Sequence, residues 1–215
     1  MYIPDAFRLE DQEAIQNILE RYAFAALVTS SDGVPGASHL PLIHEPGAGP
    51  RGRLVGHLAR ANGQGRQLAA AEHAGREVLA IFQGPHAYVS PRDYGSGPPT
   101  VPTWNYIAVH VYGVPRLFTN RAEARALVTA LTARHEAGRP NPWSPDSLDP
   151  DWVEKMLRGI QGFEIAITRI DAKAKLSQNR QADQAGRAAD ALQAADDPVG
   201  RETGRLMRDA LGSRP

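Results

Sequence analysis

Apolar residues recur along this chain in two periods, and the switches between them predict its elements. From Asp11 to Tyr22, Ile15, Ile18, Leu19 and Tyr22 fall at helical spacing and predict a short amphipathic helix. Phe24 to Thr29 reads as a strand, and Asp32-Gly33 predicts a tight turn into Val34 to His44 as its hairpin partner. Gly47 to Gly52 is loop chemistry, after which Arg53 to Leu58 reads as a third strand. The alanine-rich stretch Ala59 to Arg76 predicts a helix beginning near Asn62. Val78 to Gln83 and Ala87 to Ser90 predict two short strands separated by Gly84-Pro85, and Pro91 to Pro102 is crowded with loop residues.

From Trp104 to Phe118 the period is two: Tyr106, Ala108, His110 and Tyr112 share one face, while Ile107, Val109 and Val111 share the other and are expected to pack inward. Arg121 to Glu136 predicts a helix with Ala126, Leu127, Ala130 and Leu131 as its stripe and Gly138 beyond its end. Asp149-Pro150 predicts the start of another, holding Trp152, Val153, Met156 and Leu157. Phe163, Ile165 and Ile167 alternate in a last strand, and the stretch from Gln181, broken at Asp197-Pro198, predicts two exposed helices.

About six or seven short strands interrupted by helices do not follow the regular strand–helix alternation of a parallel sheet. The pattern predicts a mainly β chain with flanking helices, of the α+β class, its antiparallel strands closed into a barrel. The change in character near Arg180 places the barrel domain with its inserted helices in residues 1–180. Residues 181–215 are then a helical C-terminal extension of that domain.

Composition narrows the chemistry. Lys and Arg number 24 and Asp and Glu number 24, so no global field draws the chain to nucleic acid or an anionic membrane, and any basic site is local. The absence of cysteine removes disulfides, thiolate nucleophiles and thiolate-held metal centres together. The first residues lack the pattern of a signal peptide, and no run reaches the roughly 20 apolar residues of a membrane helix. The expectation is a cytoplasmic protein with no membrane partner.

Three stretches concentrate candidate chemistry. His57-Leu58-Ala59-Arg60-Ala61-Asn62-Gly63-Gln64 leads from a strand into a helix, where free backbone N–H groups favour an anion and Arg60 could grip a phosphate; a capped helix with a solvated arginine is the other reading. Lys173 to Arg180 packs Lys173, Lys175, Ser177, Gln178, Asn179 and Arg180 into eight residues, a donor cluster suited to phosphate or a carbonyl-rich heterocycle, or else a polar strand end. Ile81 to Pro91 and Val101 to Tyr106 combine fixed turns with aromatics, and Trp104, Gln83 and Asn105 could hold a flat ring or plug the core. The histidines lack the spacing of a metal site, which predicts no structural metal. In the tail, Arg201, Arg205 and Arg208 share one helical face, but residues 180–215 carry six arginines against six acids, as a solvated face would.

These same stretches resemble the PaiB family, described as FMN-binding negative transcriptional regulators. The resemblance runs from Met1 to about Leu192 and is carried by Met1-Tyr2-Ile3-Pro4, Gly56 to Gln64, Ile81 to Pro91, Val101 to Gly113 and Lys175 to Arg180. It implies an FMN-binding split β-barrel in which two subunits pair with the flavin at their interface. By that similarity His57, Arg60, Asn62 and Gln64 would hold the phosphate with Lys175, Ser177 and Arg180 assisting, Gln178 completing that cluster, and Gln83, Trp104 and Asn105 would line the ring. Family members tend to carry Pro and Trp near Gly63 and Gly65, and a more hydrophobic loop where this chain has Arg92-Asp93-Tyr94, so a looser helix start and a less aromatic pocket are expected. The functions implied are, in order, an FMN-dependent negative regulator of transcription, a flavin-dependent oxidoreductase, and a haem-binding or haem-degrading protein. The neutral charge and the lack of a helix-turn-helix pattern give direct DNA binding little support.

Overall fold

The computed structural model describes residues 1–31 and 33–212, which form seven strands and six α-helices. In chain order these are α1 (Gln12–Arg21), β1 (Phe24–Ser31), β2 (Val34–Pro41), β3 (Ile43–Glu45), β4 (Arg53–Ala59), α2 (Gln64–His73), β5 (Val78–Val89), β6 (Thr103–Leu117), α3 (Arg121–Glu136), α4 (Pro150–Leu157), β7 (Ile160–Lys175), α5 (Ala182–Ala194) and α6 (Pro198–Gly212). The strands make one antiparallel sheet in the order β2-β1-β5-β6-β7-β4-β3.

The expected hairpin forms with register Phe24↔Pro41 to Ser31↔Val34; Asp32 lies outside the described residues, while Gly33 takes a φ of 80°, which suits its turn. Val34 to His44 is not one strand, however. Pro41 ends β2, Leu42 donates its N–H to the Ala23 carbonyl, and the chain resumes as β3, which pairs with β4 at the opposite edge of the sheet. The two short strands expected around Gly84-Pro85 are one strand, β5. Burial alternates to Phe82, Gly84 and Pro85 are both buried, and alternation resumes one residue out of phase, the signature of a bulge where the proline cannot donate to the ladder. The inward row of β6 holds as expected, and at Gly113 a Cβ would lie 2.2 Å from the Ala166 carbonyl oxygen, so only glycine fits.

Two compact units are distinguished. The first comprises Met1–Ile18, Gln83–Val109 and the described chain from Asp171; the second comprises Leu19–Phe82 and His110–Ile170. In the second, Leu27, Leu42, Leu54, Leu68, Phe82, Phe163 and Ile165 are wholly buried, each large side chain contributing about 1.5–3 kcal/mol. Here α3 buries only Leu127 and Leu131, with Phe118 packed beside them; Ala126 and Ala130 are exposed, so its stripe is narrower than expected. Asp149 caps α4, accepting from Asp151 N at 2.7 Å, and of its four apolar residues Val153 and Leu157 turn inward while Trp152 and Met156 stay exposed.

In the first unit the tail helices are not the exposed pair expected. Ala185, Gly186, Ala188 and Ala189 of α5 and Gly200, Thr203, Gly204 and Met207 of α6 are buried, and a Cβ at Gly204 would lie 2.7 Å from the Ala189 carbonyl oxygen. The small residues that read as weak hydrophobes are what let these helices approach closely. Their arginine face is neutralised: Arg205 pairs with Glu202 and Asp209 at 3.0 and 2.8 Å, Arg201 with Asp196 at 3.5 Å, and Arg208 with Asp190.

Candidate functional site

In the second unit, β4 runs out at Ala59 and α2 begins at Gln64. Asn62 bridges this gap in two directions: its Oδ1 accepts from Gln64 N at 2.9 Å, and its Nδ2 donates to Ser38 Oγ at 2.9 Å. Gln64 is buried, and its Nε2 donates to the Leu27 carbonyl, Thr29 Oγ1 and the Gly36 carbonyl at 2.8, 3.1 and 3.3 Å. Both amides therefore tie α2 to the β1–β2 hairpin. Gly63 supplies no side-chain cap, so Asn62 does that work one residue earlier. Arg60 turns the other way, its Nε donating to the Arg158 carbonyl and its Nη1 to Gln161 Oε1, both at 3.0 Å. His57 is partly buried, its Nδ1 has no partner, and burial pushes its pKa below the ordinary 6.5.

In the first unit the donor cluster folds largely inward. Lys173 is buried, donating to the Tyr2 carbonyl at 3.3 Å beneath the Tyr106 ring. Ser177 takes a φ of 65° in the left-handed region, and its buried Oγ meets Tyr94 Oη and Asn105 Nδ2, each at 2.8 Å. Asn105 is fully buried, with its Oδ1 unpartnered. Gln178 closes on its own turn, accepting from Leu176 N at 2.7 Å and donating to the Ala174 carbonyl at 2.6 Å. The Arg180 guanidinium lies 5.7 Å from the Tyr94 ring centroid.

Lys175 stands apart. Its Nζ donates to the Trp104 carbonyl at 2.8 Å and to Thr103 Oγ1, both neutral acceptors. Burial, then repulsion from Lys173 and Arg180, pushes its pKa below the ordinary 10.5. Above it, Trp104 is 54% exposed, with the His86 and Tyr88 rings 6.2 and 6.1 Å from its own. Gln83 is exposed and its Nε2 lies 3.3 Å from His86 Nδ1. The first unit thus presents an open aromatic face backed by a cation that lacks an acidic partner.

Comparison with known proteins gives this arrangement its context. Residues 1–169 match the family described as "Putative FMN-binding domain". The chain is 38% identical over 211 residues, 98% of its own length and 98% of the other's, to "Protease synthase and sporulation protein PAI 2" of Bacillus subtilis (strain 168). The chain belongs to the PaiB family.

Solved structures give the fold of this PaiB-family chain. It superimposes on the FAD and haem binding protein of Mycobacterium smegmatis with a TM-score of 0.58 at 17% identity, over 83% of this chain and 78% of that one. On the flavocytochrome Anf3 of Azotobacter vinelandii the TM-score is 0.56 at 17% identity, over 76% and 67%. The sheet is that of the flavin-binding split barrel, and FMN is the cofactor of the PaiB-family domain. The donor set of the first unit fits it: an aromatic surface open to a flat ring, and a lysine held by neutral oxygens.

Several residues expected to touch the cofactor bond protein groups in this structure: Asn105 is fully buried with its Oδ1 unpartnered, Gln64 is buried with its Oε1 unpartnered, and Ser177, Gln178, Asn62 and Gln64 each hold neighbouring side-chain or backbone groups. Within the first unit the structure brings together Lys175, Trp104 and, through His86, Gln83. The sequence reading missed His86 and Tyr88, although their alternation on β5 beyond the bulge carries the signal, and missed the Tyr94 hydroxyl in the loop where the chain departs from its family. Among the described residues no helix is long and apolar enough to cross a membrane, and no group of His, Asp and Glu could hold a metal.

Proposed function

We infer that this chain is a homodimeric, flavin-dependent regulator of gene expression of the PaiB type. The observation that carries the flavin site is Lys175: a partly buried ammonium held by neutral oxygens, one of them the carbonyl of the exposed Trp104, its pKa depressed by burial and then by its neighbouring cations, is a charge waiting for an anion. We assign Trp104, Tyr88 and Gln83 of the first unit to the ring, with Lys175 and Arg180 facing its electron-rich edge. Bound FMN would supply reversible redox chemistry; the chain's residues bind and orient it.

A sheet face in the second unit supports the dimer. On β1, Phe24, Ala26 and Val28 point away from the buried row, and they pair with Pro41, His39 and Ala37 of β2 on one side and, for Ala26 and Val28, with Ile81 and Leu79 of β5 on the other. Phe24 is 68% exposed. An apolar face of this kind on a lone protomer favours a second copy. Reading the chain from residue 181 as an extension of the same domain is supported by Gln184, which donates to the Pro98 carbonyl at 3.1 Å, and by Arg187, which donates to those of Tyr94 and Ser96 at 2.8 and 2.6 Å.

The regulatory role rests on the relative's name, and the ion-paired arginines of α6 argue that it is exercised without a phosphate-gripping helix. The test is an FMN titration followed by absorbance, with sedimentation and promoter-DNA binding at low salt. Saturable FMN binding by a dimer is expected, weakened about tenfold in Lys175→Ala through loss of a charged hydrogen bond. An FMN affinity untouched by both Lys175→Ala and Trp104→Ala overturns the assignment. Bleaching by NADH or NADPH without air, reversed by a small substrate, would turn the reading to an oxidoreductase, and a Soret band on haem titration to a haem protein.

A further inference from the structure

Several arginines of the second unit are closely matched by acids. Arg53 pairs with Glu45 and Glu164 at 2.7 and 2.6 Å, Arg116 with Glu164 and Glu123 at 2.8 and 2.7 Å, and Arg125 with Glu154 at 2.7 Å. Three others are less fully neutralised, and they line one cavity of about 290 Å³. Arg60 spends its donors on neutral acceptors, the Arg158 carbonyl and Gln161 Oε1. Arg121 lies 3.7 Å from Glu154, whose carboxylate is already held closely by Arg125. The Arg158 guanidinium has no hydrogen bond or ion pair among the described residues, and feels Glu154 only through space. In a chain whose net charge is zero, three guanidinium groups around one cavity with no carboxylate in its wall are a local excess.

The remaining wall fits an organic anion better than a bare ion. Phe118, Leu157 and Ile160 give it an apolar side, Thr119 adds a hydroxyl, and the first turn of the 16-residue α3 opens onto it with Asn120 as its cap. Guanidinium groups bind phosphate oxygens in pairs, the helix start adds further N–H donors, and apolar carbon accommodates the ester. We propose that the Arg60–Arg121–Arg158 cavity is a phosphate-monoester site. The ester is that of a phosphorylated metabolite separate from the flavin, so the site is independent of the function inferred above.

The experiment measures binding of FMN, riboflavin, inorganic phosphate and ribose 5-phosphate to the full chain and to Arg121→Gln, Arg158→Gln and, as a charge control outside the cavity, Lys155→Gln, with melting curves confirming the fold. A preference for FMN over riboflavin that collapses in both arginine variants and persists in the control would assign the cavity to the flavin and overturn the separate site. If the cavity takes a separate ester, FMN affinity is unchanged while ribose 5-phosphate or phosphate binds the wild type and is weakened roughly tenfold in the same two variants. The proposal is overturned if the arginine variants alter neither, or if Lys155→Gln weakens binding as much as they do. The phosphate arm reads out even if the chain takes no flavin, so the two readings fail separately.

Discussion

The segments His57 to Gln64 and Lys173 to Arg180 have the same length and a similar supply of cations and amides, yet they fold to different ends. In the first, a strand hands over to a helix, so the side chains fan out: Asn62 and Gln64 turn in to hold α2 on the hairpin while Arg60 is left outside. In the second, a strand runs into a reversal through Ser177 in the left-handed region, and the chain folds back on its own donors until even Lys173 is buried. The difference teaches which donors a site retains. Neutral amides and hydroxyls are taken up by nearby carbonyls in both segments, whereas a cation without a carboxylate, Arg60 in one and Lys175 in the other, still has charge to offer.

The largest test of this contrast is Gln64→Ala. It removes the donor that reaches three acceptors and leaves a cavity behind, so it should cost about 3 kcal/mol in urea unfolding. A change near zero would mean that Gln64 is held for a ligand after all. Ser177→Ala is the counterpart in the second segment: with Tyr94 Oη and Asn105 Nδ2 both losing their partner, a loss of about 2 kcal/mol is expected. Flavin affinity should follow only through Lys175, which shares the strand end.

Much of the fold was legible because its cues are local. Strand alternation from Trp104 onward, the Asp149 cap and the helix at Gln12–Arg21 were each written in a few neighbouring residues. That alternation also placed Asn105 on the inward row of Ile107 and Val109, so its burial could have been read; the pull of an amide beside a tryptophan obscured it. The break after Pro41 was not legible, because the partner that draws β3 to the far edge is β4, beyond the loop that follows it. Nor were the buried tail helices, since alanine and glycine look the same on a solvated face as in a close helix pair. The Arg60–Arg121–Arg158 cavity was invisible for the same reason as the β3 pairing: its walls come from three separate stretches of chain.

The smallest effect separates the two segments by pH. His57 has a folded pKa below the ordinary 6.5 because burial disfavours its cation, and His44, buried in the same unit with Glu20 opposing the effect of burial, is shifted the same way. Between the lowered value and 6.5 the unfolded chain binds more protons than the folded one, so stability rises with pH through that window, is complete above 6.5 and is lost as the solution is acidified. Lys175 is depressed too, but its window lies just below 10.5, where stability again rises with pH as the unfolded lysine releases the proton its folded counterpart has already given up. Urea midpoints from pH 5 to 10 should therefore show two rising steps. His57→Leu should shrink the acid step alone and Lys175→Met should remove the alkaline one, whereas equal effects of either variant at both ends would show that the segments do not titrate independently. An anion bound against Lys175 relieves the repulsion from Lys173 and Arg180 and raises its pKa, so saturating FMN should flatten the alkaline step and leave the acid step unchanged.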